Sequence, residues 1–274
     1  MEIRLAKNYG FCFGVKRAIK MAEESPNSTT IGPLIHNNEE INRLKTSFNV
    51  DNVNNFSEVK NIKKAIIRTH GITKDNLKEL KERNIDIIDA TCPFVSKPQK
   101  ICEEMSEKGY QIIIFGDINH PEVKGVMSYA KDGAIVALTP KELEDKKIKH
   151  KVAIIAQTTR KFSEYIDIVN YIMPRCKEIR VFNTICNATF ENQEAVRELS
   201  SECDIMIIVG GKNSSNTKQL YTISKTNCTD SYLIENEKEL EKKWFENKKV
   251  CGISAGASTP DWIIQKVMRK IKEF

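Results

Sequence analysis

A chain of 274 residues with 43 basic and 37 acidic side chains, net charge +6, is long enough to bury a large core in two or three small domains. Its 40% hydrophobic and 29% charged content is ordinary for a globular protein. No apolar run approaches the ~18 residues of a membrane span, and the first seven residues lack the apolar core and cleavage site of a secretory signal. A cytoplasmic location is therefore expected, with no membrane partner. Basic residues are scattered, as at 60–64 and 144–149, and only 7% of residues are aromatic, which argues against a nucleic-acid surface.

Taken in chain order, Val15, Ala18, Ile19 and Ala22 recur on one helical face. Strand-like β-branched runs follow at 65–68, 85–89, 111–115, 134–138 and 152–155. A helical stretch at 194–199 precedes two more strand-like runs at 204–209 and 250–254. Several of these runs are apolar throughout, as strands covered on both faces of a parallel sheet must be. The last helix is predicted to take Thr259 as N-cap and Pro260 as its first residue, with Ile264, Val267, Met268 and Ile271 on its apolar face. This alternation predicts an α/β fold with mainly parallel sheets. No linker or low-complexity tract marks a boundary. What recurs is a pattern, not a residue-level repeat.

Eight cysteines occur without a Cys-x-x-Cys pair, which disfavours a zinc ribbon or a thioredoxin-like motif. Cys12, Cys92 and Cys186 each follow a strand exit and precede a helix-like segment, about a third of the chain apart. That spacing implies three similar units, each delivering one thiolate to a common centre. Three thiolates on an iron–sulfur cluster would leave one iron open for substrate. Cys102, Cys176, Cys203 and Cys251 read as buried small hydrophobes, and Cys228 has no assigned role.

His36, His70 and His120 also follow probable strands, where open α/β sheets place ligands; His150 reads as surface. Histidine suits a diphosphate, since it donates hydrogen bonds and carries charge near neutral pH. Two loops of small residues, 210–216 with Ser214, Ser215 and Asn216, and 254–258 with Ser258, could cradle an anion at a helix start. Glu122, at the start of a helix opened by Pro121, could relay protons, and Thr158 is a strand-exit hydroxyl able to bridge that acid and a ligand. No Walker loop or Gly-x-Gly-x-x-Gly supports a nucleotide.

The motifs Gly10-Phe-Cys12-Phe-Gly, Asp89-Ala-Thr-Cys92-Pro, Asn119-His120-Pro-Glu122 and Gln157-Thr158-Thr, followed by Gln193-Glu-Ala-Val, Lys212-Asn-Ser-Ser-Asn216 and Ala255-Gly-Ala-Ser258-Thr-Pro-Asp, resemble the 4-hydroxy-3-methylbut-2-enyl diphosphate reductases along nearly the whole chain. The resemblance implies three small α/β domains (13–92, 93–185, and 186–274 plus 1–12) in a pseudo-threefold trefoil. It implies one [4Fe–4S] cluster held by Cys12, Cys92 and Cys186 with one open iron. His36, His70, His120, Thr158, Ser214, Ser215, Asn216 and Ser258 would bind the substrate, and Glu122 with Thr158 would deliver the proton. The activity implied is a two-electron reductive dehydroxylation yielding isopentenyl and dimethylallyl diphosphate. A flavodoxin or ferredoxin would supply electrons to what is expected to be a monomer. One departure is Asn187, after Cys186, where an aromatic residue is common in relatives. A redox-neutral iron–sulfur hydro-lyase and a metal or redox sensor are the rival readings; electron consumption separates the first, and the organised anion loops argue against the second.

Overall fold

Strand Ile205–Val209 explains why sheets form here. It is wholly buried: Ile205, Ile207 and Val209 face one apolar cluster, while Met206 and Ile208 face another. Period-two alternation with both faces apolar requires helices on both sides of the sheet, the condition for parallel strands. Strand Gln111–Phe115 repeats this, with Ile113 and Phe115 on one face and Ile112 and Ile114 on the other.

In the computed structural model, which describes residues 1–54, 56–59 and 62–274, the elements run in order as β1 Glu2–Leu5, α1 Phe13–Glu23, β2 Ser28–Ile31, α2 Asn38–Phe48, β3 Val50–Val53, β4 Lys64–Ile67, α3 Lys74–Glu82 and β5 Asp86–Asp89. Then come α4 Pro93–Glu107, β6 Gln111–Phe115, α5 Pro121–Met127, β7 Ala134–Ala137, β8 Lys151–Ala156, α6 Phe162–Ile172 and β9 Glu178–Val181. The chain ends with α7 Asn187–Ser200, β10 Ile205–Val209, α8 Ser215–Asn227, β11 Ser231–Ile234, β12 Val250–Ala255 and α9 Asp261–Lys272. Short 3-10 turns fill some connections. Of the basic run at 60–64, Lys60 and Asn61 lie outside the described residues, whereas the lysines of 144–149 are exposed.

The strands form three four-stranded sheets in the orders β1-β12-β10-β11, β5-β4-β2-β3 and β9-β8-β6-β7. Every pairing is parallel. Written this way the three orders are one topology: the edge strand that opens each row is followed in the chain by one of the three candidate cysteines. Because all strands in a sheet point the same way, their following loops gather at one end, for example after Ile67 and Asp89, which are register partners.

Two compact units hold these sheets. One comprises Met1–Lys16, Ile35–Arg43 and Asn187–Phe274, with the β1-β12-β10-β11 sheet; the other comprises Arg17–Leu34 and Leu44–Cys186, with the remaining two.

The α/β expectation with parallel sheets holds. Five strands were not among the runs given bounds: β1, β2 and β9 were implied only as strands ahead of Cys12, His36 and Cys186, and β3 and β11 not at all. Four of them are half-exposed edge strands, and the fifth, β2, reads Ser-Thr-Thr-Ile, so none presents an apolar run. The cap of the last helix is corrected by one residue. Pro260 is the N-cap, and the Thr259 hydroxyl instead donates to the carbonyl of Val209 at 3.0 Å, satisfying a buried acceptor at the end of β10.

Candidate active site

Each candidate cysteine is the residue just before a helix: Cys12 before α1, Cys92 before α4 and Cys186 before α7. That end of a helix favours negative charge. Each is half-buried. In each sheet the cysteine's own backbone N–H donates to a loop leaving the adjacent strand: Cys12 to the Ala257 carbonyl at 3.2 Å, Cys92 to Thr69 at 3.0 Å and Cys186 to Thr158 at 2.9 Å. These acceptors are neighbours of Ser258 and His70 and, in the last case, the candidate Thr158 itself. The same bond thus joins a thiol-bearing loop to a loop with a candidate site residue three times.

The other cysteines differ. Burial pushes the Cys102 and Cys251 thiols up to about 12 and Cys203 up to about 11, and raises Cys176 as well. Cys102, Cys228 and Cys251 are buried, as hydrophobes would be, whereas Cys176 and Cys203 are only half-buried. Cys176 lies after a 3-10 turn rather than within a helix.

In the unit that contains two sheets, His70, His120, Glu122 and Thr158 sit at strand exits. His120 is the N-cap of α5, and its Nδ1 accepts the Glu122 backbone N–H at 3.2 Å, which leaves Nε2 to carry the proton of the neutral ring. The His70 and His120 rings meet edge-to-face with centroids 5.4 Å apart, bringing together loops from two sheets. Pro121 fixes the first turn of the helix and turns Glu122 inward, where it is 1% exposed. One carboxylate oxygen accepts the Thr158 backbone N–H at 2.7 Å and the other accepts the Thr158 hydroxyl at 2.7 Å. Burial nevertheless dominates and lifts this carboxyl above the usual carboxylate range; the Thr158 bonds and the charge of Arg160 oppose it. Burial thus favours the protonated form of a carboxyl whose geometry is already set by Thr158.

In the other unit, the Ser258 and Gly211 loops approach His36, Cys12 is bonded to Ala257 beside Ser258, and Ser214, Ser215 and Asn216 open α8. Ser214 caps α8 by accepting the Thr217 N–H at 3.3 Å, so the Ser214 hydroxyl serves the helix start as expected of a cap. Ser258 donates to the His36 carbonyl at 3.3 Å. Gly211 is required here: a Cβ would lie 2.2 Å from that same carbonyl oxygen. Asn216 is 4% exposed, yet neither its amide nitrogen nor its amide oxygen has a hydrogen-bond partner among the described residues. Such a group awaits a ligand or carries a penalty of about 1–3 kcal/mol.

The His36 segment is pinned by a buried acid. Glu40, 1% exposed, accepts the Trp262 indole N–H at 3.0 Å and pairs with Arg43 at 2.6 Å, while Asn236 donates to Glu39 at 3.3 Å. Sequence reasoning did not single out Glu40, Trp262 or Arg160. The 3-4 spacing around Glu40 was available as a signal, but its partner Trp262 is 222 residues away.

Parallel sheets alternating with helices, each with a leading edge strand that runs into a half-buried cysteine at a helix start, define an α/β protein. The family model described as LytB protein matches residues 3–272, and the chain belongs to this family. A curated relative from a Nitratiruptor species, named 4-hydroxy-3-methylbut-2-enyl diphosphate reductase, is 69% identical, with 100% of this chain and 99% of the relative covered. A solved structure of (E)-4-hydroxy-3-methyl-but-2-enyl diphosphate reductase, described as the terminal enzyme of the non-mevalonate pathway, is 42% identical with a TM-score of 0.73, both chains covered in full. The E-1-hydroxy-2-methyl-but-2-enyl-4-diphosphate reductase from Plasmodium falciparum is 26% identical with a TM-score of 0.91, covering 98% of this chain and 87% of that one.

Proposed function

We infer that this chain reduces (E)-4-hydroxy-3-methylbut-2-enyl diphosphate, replacing its hydroxyl with hydrogen. Two electrons and two protons enter, water leaves, and isopentenyl and dimethylallyl diphosphate are the products. The observation that carries this reading is the threefold recurrence of a half-buried cysteine, bonded through its backbone to a loop of ligand-type residues.

The donor set fits an iron–sulfur cluster: three half-buried thiols at helix starts, set apart from thiols that burial raises to about 11 or 12. Cys12, Cys92 and Cys186 would hold a [4Fe–4S] cluster, which when bound supplies single electrons and one open, Lewis-acidic iron for the hydroxyl oxygen. Glu122 holds the proton that the departing hydroxide needs, because burial keeps its carboxyl protonated at higher pH than an exposed acid. Thr158 fixes both carboxyl oxygens and presents its own hydroxyl to substrate. Asn216, Ser215, Ser214 and Ser258, with His36, His70 and His120, bind the diphosphate, so that binding energy at the unreactive end orients the reacting end. The subdivision into 13–92, 93–185 and 186–274 plus 1–12 would give each domain one sheet, with Cys92, Cys186 and Cys12 at or beside the domain boundaries. The enzyme acts in the cytoplasm as a monomer, with a flavodoxin or ferredoxin as donor.

The test is an anaerobic assay of iron- and sulfide-reconstituted protein with the diphosphate and a chemical reductant. Two electrons consumed per diphosphate product are expected. Product formed without electron consumption, or a colourless zinc-loaded protein of equal activity, overturns the assignment.

A further inference from the structure

We propose that the groove beside Cys92 is the docking surface for a small, acidic electron-carrier protein. This rests on the reductase reading, which requires an external source of single electrons. A groove of about 540 Å³ is lined by Thr91 and Pro93, the two residues flanking Cys92, together with Arg17, Lys97, Lys100 and Glu104. Pro93, Lys97, Lys100 and Glu104 follow one another at helical spacings of four and three, so they share one face of α4.

The charge of this face is positive and unspent. Arg17 is committed to backbone, donating to the carbonyls of Thr91 at 3.2 Å and Asp89 at 3.3 Å. That bonding stiffens the Cys92 loop and keeps a cation beside it. Of the two acids in the groove, Asp89 accepts the Thr91 N–H at 2.9 Å and Glu104 pairs with Lys108. Lys97 and Lys100 are exposed and have no carboxylate at ion-pair distance among the described residues. Phe94, in the first turn of the same helix, is also exposed. Unpaired cations on this face suit a negatively charged protein, which such a field steers and orients. Two reduced carriers dock in turn, and each leaves oxidised by one electron. The two electrons, with two protons, convert the C–O bond to C–H and water.

The experiment compares parent holoprotein with the double variant Lys97→Glu/Lys100→Glu, using reduced flavodoxin and, separately, reduced methyl viologen. The variant is expected to bind flavodoxin at least about tenfold more weakly at low ionic strength and to lose the parent's salt dependence. Flavodoxin-driven turnover falls with binding, while viologen-driven turnover stays at the parent rate. Lys97→Gln/Lys100→Gln, which keeps good helix formers, gives an intermediate loss. Unchanged flavodoxin binding, or equal loss with both donors at unchanged iron content, overturns the proposal. Failure of the reductase reading looks different: the parent then binds flavodoxin through these lysines yet turns over no diphosphate with viologen.

Discussion

The corner formed by His120, Glu122 and Thr158 and the loops carrying Ser214, Asn216 and Ser258 are both buried and polar, but they are built to opposite plans. In the first, Glu122 has both oxygens satisfied by one threonine and a backbone N–H held by a histidine. In the second, the Asn216 amide is buried with no partner on either atom among the described residues. A closed network positions a proton without help from substrate; an open one gains its stabilisation only when a ligand arrives. The two regions are therefore expected to respond differently to mutation.

The largest loss is expected from Cys92→Ser, which should reduce iron and sulfide content together with turnover; full activity with an intact cluster would remove Cys92 from the ligand set. Next, Glu122→Gln should lower turnover by roughly 10²–10⁴ while leaving substrate affinity intact, because the amide oxygen still accepts the Thr158 N–H and the amide nitrogen can donate to the Thr158 hydroxyl. Weakened binding with normal turnover would place Glu122 among the anchoring groups instead. In the open region, Asn216→Leu should weaken substrate binding yet stabilise the ligand-free protein by about 1 kcal/mol, since a buried unsatisfied amide is removed. Denaturation with and without diphosphate checks both arms, and a destabilised free protein would erase the contrast.

Smaller effects probe what supports each region. Trp262→Phe removes one donor from buried Glu40 and should raise the substrate KM severalfold with kcat retained, by loosening the His36 segment. A drop in kcat alone would sever that link. The pH dependence of stability isolates Glu122. Its folded pKa lies above the unfolded value, so its contribution is fully present below the ordinary glutamate pKa of about 4.3 and is lost as pH rises through the folded value. Relative to the parent, Glu122→Gln should therefore become progressively more stable as pH climbs through that window; parallel melting curves for the two proteins would contradict it.

The candidate site could be read from the chain because its signals are local. A cysteine between a strand exit and a helix start, a Pro-Glu pair opening a helix and small-residue loops after apolar strands are each contained within a few residues. The central strands β6 and β10 were readable because both of their faces are apolar. Edge strands such as β1, β5 and β9 are half-exposed, so their residues need not be hydrophobic; of these only β5 stands out as a β-branched run, and β1 and β9 were implied only by the cysteines that follow them. Thr259 shows how a local rule loses: a threonine before a proline at a helix start is a cap by pattern, but a buried carbonyl at the end of β10 claimed its hydroxyl.

What the linear chain determined was the alternating α/β character and which side chains stand at strand exits and helix starts as candidates, since periodicity and turn chemistry act over a few residues. Only the tertiary structure decided that the three sheets share one strand order with a cysteine after each leading edge, that Glu122 is sealed against Thr158, and that Asn216 is left open. Those outcomes depend on hydrogen bonds and burial between residues tens to hundreds of positions apart, where no local pattern reaches.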